Sequence, residues 1–308
     1  MPMAVATPDA QRAPHLAPLA GPGLCLPSRL ATQAVRALLA EADLTPKPGL
    51  VDQRGTGAHT DLSLELMHRS ARSLFPAFQT MAEAALGQTA SQRLRVQLAA
   101  IGRDGERAML AATGGSNSHK GAIWALGLLV AGTMLCPGHG DPQVIAALAG
   151  TLASHPDVLP PQTGANGHRA RLQYGVKGAV GEAQDGFPHV VAVGLPALLR
   201  ARAQGVPEPF ARLDALMAIM AALDDTCLLH RGGRPALDTA QRGARQVLEA
   251  GGTASGPGMA QLLALDGQLL ALNASPGGSA DLLAATLFLD SVARSSMQIS
   301  PIHHFGDQ

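Results

Sequence analysis

Charged side chains and glycines occur together at five places along this 308-residue chain. Glycine allows a positive φ and a close backbone approach, so these segments are typical of shaped loops at helix ends. We call them motifs 1 to 5, and they cover residues 45–61 (TPKPGLVDQRGTGAHTD), 113–132 (TGGSNSHKGAIWALGLLVAG), 174–190 (YGVKGAVGEAQDGFPHV), 224–233 (DDTCLLHRGG) and 273–281 (NASPGGSAD).

The side chains of these motifs suit a magnesium–polyphosphate ligand. Carboxylate oxygens favour Mg²⁺ over zinc, and the candidate metal ligands are Asp52, Asp61, Glu182, Asp225 and Asp281. Cationic side chains would face phosphate oxygens, and the candidates are Lys47, Lys120, Lys177 and Arg231. Helix starts and polar turns would add further anion contacts, at Asn117, His119, Gly232, Gly233, Gly278 and Ser279. The residues therefore predict a nucleotide or polyphosphate substrate.

Each motif also has an explanation that is only structural. Motif 2 contains no Gly-Lys-Ser/Thr, so it is not a Walker A loop and could be a polar helix cap. Motif 3 has a GxxGxxG spacing but lacks the βαβ context of a dinucleotide site. The acidic start of motif 4 could form an ion pair ahead of a glycine C-cap. The recurrence of one pattern favours a single site where the five loops converge.

Helices must position these loops. Apolar residues make up 46% of the chain, charged residues 15% and aromatic residues 3%, and β-branched residues form no alternating runs. This composition predicts an all-α fold, a single large helical domain with its glycine-rich loops around one polar pocket. We expect a loosely ordered leader over 1–27, a helical catalytic domain over 28–300 and a tail over 301–308.

The periodicity predicts where the principal helices lie. We expect Ser28 to cap the first helix, over 28–42, and Thr60 or Asp61 to cap a second helix that ends near Pro76. A further helix is expected over about 91–112, in which Gly102 and Gly105 are the weak points. An apolar helix is expected in the second half of motif 2, another over 211–229 with motif 4 at its end, and a last one from motif 5 through Phe288.

Whole-chain properties exclude several classes of partner. The formal net charge is zero, which gives no general attraction to nucleic acid or to a membrane surface. The longest apolar run, over 122–136, is shorter than the roughly 20 residues that span a bilayer. Three widely spaced cysteines match neither a disulfide framework nor a zinc cluster, which favours the cytoplasm. The oligomeric state stays open between a monomer and a homodimer.

The wording of the motifs resembles that of the triphosphoribosyl-dephospho-CoA synthases, which serve citrate lyase and malonate decarboxylase. The segments TPKPGLVDQRGTGAHTDL, GGSNSHKGAIWALGLL, GVKGAVGEAQDGFP, DDTCLLHRGG and SPGGSADLLA occur in the order seen in that family. The likeness runs from about Ser28 to about Ser291. The RGTGAH wording of motif 1 is more similar to the malonate decarboxylase branch, and the citrate lyase counterpart is the alternative.

The resemblance implies a transferase reaction in which ATP and 3′-dephospho-CoA give 2′-(5″-triphosphoribosyl)-3′-dephospho-CoA and free adenine. The product would be the precursor of the prosthetic group of an acyl carrier protein and would pass to a carrier-protein transferase. On this reading, Asp52, Asp61 and Glu182 bind Mg²⁺ or act as general base, Lys47, Lys120 and Arg231 bind phosphate, and His59 and His119 contact phosphate or the leaving adenine.

Two other functions stay open. A magnesium-dependent phosphohydrolase or phosphotransferase with a similar pocket would release phosphate or ADP in place of adenine. A non-enzymatic assembly factor would bind the carrier protein or a CoA derivative without turnover, and it would not need the acidic and basic groups of five motifs.

Overall fold

Helices form almost all of the regular structure in residues 25–159 and 166–297, which are the residues that this computed structural model describes. These ranges contain no β-strand, only an isolated bridge between Asp52 and Gly55. The all-α prediction is therefore confirmed. The helices are α1 (Leu26–Ala42), α2 (Leu64–Ser73), α3 (Phe75–Ala85), α4 (Gln92–Thr113), α5 (Lys120–Leu135), α6 (Pro142–Ser154), α7 (Asn166–Tyr174), α8 (Gly178–Gln184), a π-helix (His189–Gly194), α9 (Leu195–Ala203), α10 (Glu208–Ala222), α11 (Thr226–Glu249), α12 (Gly256–Ala271) and α13 (Gly277–Met297).

Helix α5 lies at the centre of the fold because it is apolar on every side. Its residues from Ala122 to Met134 are buried apart from Trp124, and α1, α3, α4, α6, α8 and α13 all contact it. A helix that is hydrophobic all round is stable only when neighbours cover every face. The burial of α5 draws its N-terminus, which lies in the middle of motif 2, into the packed part of the fold.

Three predictions concerned membrane spans, the chain termini and the cap of the first helix. Within the described ranges, no helix is both long enough and apolar enough to cross a bilayer. Most of the predicted leader and the whole predicted tail lie outside the described residues. Helix α1 begins at Leu26, so Ser28 is not its cap but lies inside its first turn.

The prediction for the second helix was wrong at its start. Ser63, not Thr60 or Asp61, caps α2, because its extended backbone lets Oγ accept a hydrogen bond from the Leu66 amide at 3.3 Å. The helix stops before Leu74, and Pro76 falls in the first turn of α3, where a missing N–H costs nothing. The helix thus ends near Pro76, as predicted, and α3 is an additional helix that begins there.

Helix α4 (Gln92–Thr113) confirms the helix predicted over about 91–112 and continues through Gly102 and Gly105. Gly105 packs closely against Ala77 of α3. One further boundary differs from expectation. Motif 4 does not end a helix over 211–229. Helix α10 stops at Ala222, and Asp225 is the N-cap of α11. Asp225 was expected near the C-terminal end of a helix, but it caps the N-terminus of the next helix, α11.

Candidate active site

Four of the five motifs line one narrow cavity at the N-terminus of α5. Its walls are Gly121, Trp124, Ala125, Gly178, Ala179, Glu182, Phe187, Leu223, Asp224, Asp225, Thr226, Gly278, Asp281 and Leu282. The enclosed volume is about 40 Å³, which holds only a few water molecules, so a nucleotide has to widen it on binding. An open depression between α6 and α8 is larger, at about 430 Å³, but its lining includes one carboxylate and no cation. The chemistry therefore points to the narrow cavity.

Asp225 holds motifs 4 and 5 together. Its Oδ1 accepts hydrogen bonds from the amides of Cys227 at 2.8 Å and Gly278 at 3.3 Å. Its Oδ2 accepts from the amide of Ser279 at 2.8 Å and from the Ser279 hydroxyl at 2.9 Å. Burial still raises the pKa of Asp225, although these hydrogen bonds oppose the shift. Asp225 and Ser279 therefore position the cavity wall through their contacts with each other.

Asp281 lies against the first turn of α5. A Cβ built on Gly121 would overlap its Oδ2, so only glycine leaves room for the carboxylate at this point. Burial, helped by the neighbouring carboxylates Glu41 and Asp225, raises the pKa of Asp281 well above its usual value, and the Ala122 amide opposes the shift. A buried carboxyl whose protonated form is favoured can act as a general acid.

Glu182 enters the cavity wall in a fixed orientation. Its Oε1 accepts a hydrogen bond from the amide of His189 at 2.9 Å, and its Oε2 lies 2.7 Å from Nδ1 of the same residue. The hydrogen bond to Glu182 raises the pKa of His189, although burial opposes the shift. Phe187 has a φ of 56°, unusual for a residue other than glycine, and the π-helix begins directly after Pro188. This irregular backbone returns His189 onto Glu182.

Motif 1 contacts motifs 4 and 5 through His59. The guanidinium of Arg231 donates to the Ala58 carbonyl at 2.9 Å and to His59 Nδ1 at 3.0 Å. The other ring nitrogen, Nε2, therefore carries the hydrogen and donates to Ser275 Oγ at 3.0 Å. Burial and the charge of Arg231 lower the pKa of His59, which favours the neutral ring. The predicted convergence of the motifs thus includes motif 1, although its residues do not line the cavity.

Lys47 and Asp52 hold the loop of motif 1 and do not point to a ligand. Lys47 is 1% exposed, and its Nζ donates to Oε1 and to the carbonyl of Glu41 at 2.6 and 2.8 Å. Asp52 accepts from the amides of Lys47 at 2.8 Å and Arg54 at 2.7 Å and pairs with the Arg54 guanidinium. Asp61 has a side chain 54% exposed, 3.6 Å from His59 Nδ1. None of these three lines the cavity.

His119 presents a hydrogen-bonding atom that no described residue satisfies. The Ser118 hydroxyl donates to Ser70 Oγ at 2.7 Å, and Ser70 Oγ lies 2.7 Å from His119 Nδ1. These hydrogen bonds make Nδ1 the acceptor, so the ring hydrogen lies on Nε2. Nε2 is buried and has no hydrogen-bond partner among the described residues. Burial, with a smaller contribution from the charge of Lys47, lowers the pKa of His119 to about 3, so the ring is neutral.

The remaining predicted cations are already in ion pairs. Lys120 Nζ lies 3.0 Å from Glu106, and its amide donates to Asn117 Oδ1 at 3.2 Å in a helix cap. Lys177 is 75% exposed and pairs with Asp185 at 2.5 Å. A phosphate would have to compete with a carboxylate for either lysine.

The predicted glycines of motif 4 shape the backbone. Gly233, which follows Gly232, has a φ of 64° and lies at a kink in α11 just after Arg231.

The five predicted metal ligands do not assemble. Glu182, Asp225 and Asp281 line the cavity, whereas Asp52 and Asp61 lie elsewhere. In the described ranges, no three or more His, Cys, Asp or Glu side chains are arranged to hold a metal ion. Mg²⁺ often needs only one or two carboxylates, because substrate phosphates complete its shell. Asp224, an exposed residue of the cavity lining, fits that mode.

Several residues of the cavity region escaped the sequence analysis. Asp224 lies next to a predicted ligand within motif 4, so the motif itself was the available signal. Trp124 is the single tryptophan of the chain, and its ring carries the Arg95 guanidinium 4.9 Å from its centroid. His189 and Glu41 act on motif residues, and Glu41 lies outside every motif. Their roles depend on folded contacts that spacing does not report.

Comparison with known proteins identifies the family of the chain. A sequence model of the ATP:dephospho-CoA triphosphoribosyl transferase family matches residues 27–299. The 2-(5''-triphosphoribosyl)-3'-dephosphocoenzyme-A synthase of Klebsiella pneumoniae is 54% identical over 266 residues, which cover 86% of this chain and 95% of the relative. A probable synthase of the same description from Pseudomonas fluorescens is 56% identical over 280 residues, covering 90% and 96%. No solved structure matches the chain.

Proposed function

The chain belongs to the ATP:dephospho-CoA triphosphoribosyl transferase family, and from this we propose that the cavity between α5, α8, α11 and α13 is its active site. The enzyme is a triphosphoribosyl-dephospho-CoA synthase, a transferase that moves the triphosphoribosyl group of ATP to 3′-dephospho-CoA and releases adenine. The observation that carries the assignment of the site is the meeting of motifs 2 to 5 around carboxylates in one cavity.

The acidic lining suits the reacting centre. The 2′-hydroxyl of dephospho-CoA attacks C1′ of the ATP ribose, the bond from C1′ to adenine N9 breaks, and positive charge develops on the ribose. Glycosidases stabilise such an oxocarbenium-like centre with carboxylates. Glu182, Asp224, Asp225 and Asp281 line this cavity, and no Lys, Arg or His is among its lining residues. An acidic wall stabilises the ribosyl cation and can accommodate the neutral adenine, but it binds phosphate groups poorly.

Two carboxyl groups account for the protons. We assign the role of general base to Glu182, whose oxygens His189 orients, so that it accepts the proton of the attacking 2′-hydroxyl. We assign the role of general acid to Asp281, whose raised pKa favours the protonated carboxyl that adenine needs on departure. Asp225 has its oxygens occupied by hydrogen bonds and holds the wall. These assignments replace the catalytic roles expected for Asp52 and Asp61.

Magnesium is part of the proposal. Asp224 would hold the ion together with phosphate oxygens of ATP. When bound, Mg²⁺ neutralises phosphate charge close to the acidic wall. Removal of Mg²⁺ by a chelator should therefore raise the KM for ATP and leave the helical circular dichroism spectrum unchanged.

We place the product in the malonate decarboxylase pathway, where a carrier-protein transferase would attach it to the acyl carrier protein. The support is the RGTGAH wording of motif 1. We place the reaction in the cytoplasm, which is consistent with three free cysteines in the described residues. The test is deletion of the gene in the host, followed by mass spectrometry of both carrier subunits. Loss of the prosthetic group from the citrate lyase carrier alone would support the citrate lyase alternative.

The decisive experiment follows the leaving group. Purified protein is incubated with Mg-ATP and 3′-dephospho-CoA, and the nucleotides are separated by chromatography. We expect adenine and a triphosphoribosylated CoA derivative in equal amounts. ADP or phosphate without adenine would instead indicate a phosphotransferase or phosphohydrolase. Binding of dephospho-CoA without any turnover would indicate an assembly factor.

A further inference from the structure

Arg171 lies at the rim of the cavity, outside every motif. It belongs to α7, which packs on α11 and α8. Its Cγ and Cδ cover Gly178, where an added Cβ would lie 2.8 and 2.9 Å from them, and the Thr226 methyl group adjoins the same point at 3.2 Å. Gly178 and Thr226 both line the cavity. The aliphatic part of Arg171 therefore rests on the cavity wall from outside.

The guanidinium of Arg171 has no partner in the described part of the chain. Its Nε is buried without a hydrogen bond, and Arg171 forms no ion pair with a carboxylate of residues 25–159 or 166–297. Arg202, by contrast, pairs with both Glu208 and Asp290. A buried N–H of a charged group is costly to leave unsatisfied. The arrangement is what a site for an external anion requires.

The charge of the cavity explains why an anion would bind at this rim. Without a metal ion, the acidic lining does not favour phosphate, and no Lys, Arg or His among the lining residues offsets its charge. The phosphates of the substrates must therefore lie outside, next to free cations. Arg231 of α11 is a second cation to which no carboxylate is paired in the described residues, and it donates hydrogen bonds to the Ala58 carbonyl and to His59. Arg171 adjoins the lining residues Gly178 and Thr226, and Arg231 follows Thr226 by five residues on the same helix, α11.

We propose that Arg171 is a phosphate-binding residue of this enzyme and forms, with Arg231, a cationic rim that holds a nucleotide polyphosphate outside the acidic cavity. This inference rests on the proposed function and adds a residue to it. Arginine suits the task because its planar group donates two parallel hydrogen bonds to phosphate oxygens. The polyphosphate is either the triphosphate of ATP or the diphosphate of dephospho-CoA, which present the same chemistry.

The test compares R171Q and R171K with a control, R200Q, in which the arginine is exposed on α9 away from the cavity. Adenine release gives KM for each substrate separately, and inorganic tripolyphosphate serves as a competing anion. We expect R171Q to raise one KM by about 10- to 100-fold, the loss of a charged hydrogen bond, with a smaller change in kcat. The KM of R171K should lie between that of the wild type and that of R171Q, and the KM of R200Q should match that of the wild type.

The outcome for each substrate identifies the bound group. A raised KM for ATP with weaker tripolyphosphate inhibition assigns the triphosphate, and a raised KM for dephospho-CoA alone assigns its diphosphate. Unchanged KM values, or an equal loss of kcat in R171Q and R171K, would overturn the proposal. If R171Q melts early, R171K carries the test. If the wild type releases no adenine, the proposed function fails, and calorimetric binding of tripolyphosphate to wild type and R171K still decides the role of Arg171.

Discussion

Replacement of Gly121 by alanine tests whether the position of the Asp281 carboxylate controls the reaction. Gly121 is the second residue of α5, and a Cβ built on it would overlap Asp281 Oδ2 and lie 3.1 Å from Cγ. The carboxylate would have to retreat by about 1.5 Å to restore a normal van der Waals separation. A displacement of that size at a reacting group costs roughly 100-fold in rate. We therefore expect kcat for adenine release to fall by about two orders of magnitude.

The same substitution should leave the fold intact. Alanine is up to about 1 kcal/mol more favourable than glycine within a helix, and the group in the way is the end of a side chain that can rotate. A gain of 1 kcal/mol shifts Tm by roughly 2–4 °C in a protein of this size. We expect the Tm of Gly121→Ala, measured by calorimetry, to equal or slightly exceed that of the wild type.

Gly102→Ala is the matched control. Gly102 lies inside α4, and a Cβ there would lie 3.6 Å from the Met81 methyl group, an ordinary contact. This variant should gain similar stability and keep full activity. Near-normal adenine release by Gly121→Ala at an undiminished Tm would refute the assignment of Asp281 to the reacting centre. Asp281→Asn supplies the same test without a steric change and should lose at least as much activity.

Three further predictions concern the frame of the site. Asp225→Ala removes four hydrogen bonds and leaves buried amides unsatisfied, so the free energy of unfolding in urea should fall by about 3 kcal/mol or more. Lys47→Met leaves the buried Glu41 carboxylate unpaired, which should cost about 3–5 kcal/mol, and addition of Glu41→Gln should recover part of the loss in the same denaturation assay. The hydrogen bond with Glu182 raises the pKa of His189 in the folded state. This contact therefore stabilises the fold fully below the pKa of an unfolded histidine, about 6.5. The stabilisation is lost as the pH rises through the pKa of His189 in the folded protein. The Tm penalty of His189→Gln should therefore be larger near pH 6 than near pH 9, and equal penalties would contradict the pairing.

The sequence allowed the fold class and the meeting of the motifs to be predicted, for a clear physical reason. Few aromatic residues and no alternating β-branched runs leave helices as the only regular structure that can bury this much alanine and leucine. Glycine-rich polar segments then have to lie at the ends of helices. Where several helix ends meet within one domain, their polar residues can form a binding site. The apolar α5 at the centre brings motif 2 to that site.

The roles of individual charged residues could not be predicted in the same way. A lysine in a polar loop can face a ligand or close an ion pair, and the partner of Lys47 is Glu41, a residue of α1 outside every motif. Asp225 follows a helix and precedes another, so periodicity alone could not decide which one it caps. Arg171 lies in a segment without any motif, and only its position against Gly178 relates it to the cavity.

The distribution of charge around the cavity distinguishes this reaction from phosphoryl transfer. A phosphotransferase gathers cations around the phosphate that reacts, since that is where negative charge develops. Here the lining is acidic, and Arg171 and Arg231 are not among its residues. ATP bound with its phosphates at the arginines and its base in the cavity would place C1′ beside the carboxylates. In that orientation the bond to adenine is the one exposed to acid and base, while the triphosphate is held away from them. An enzyme that keeps the triphosphate and discards the base needs this separation.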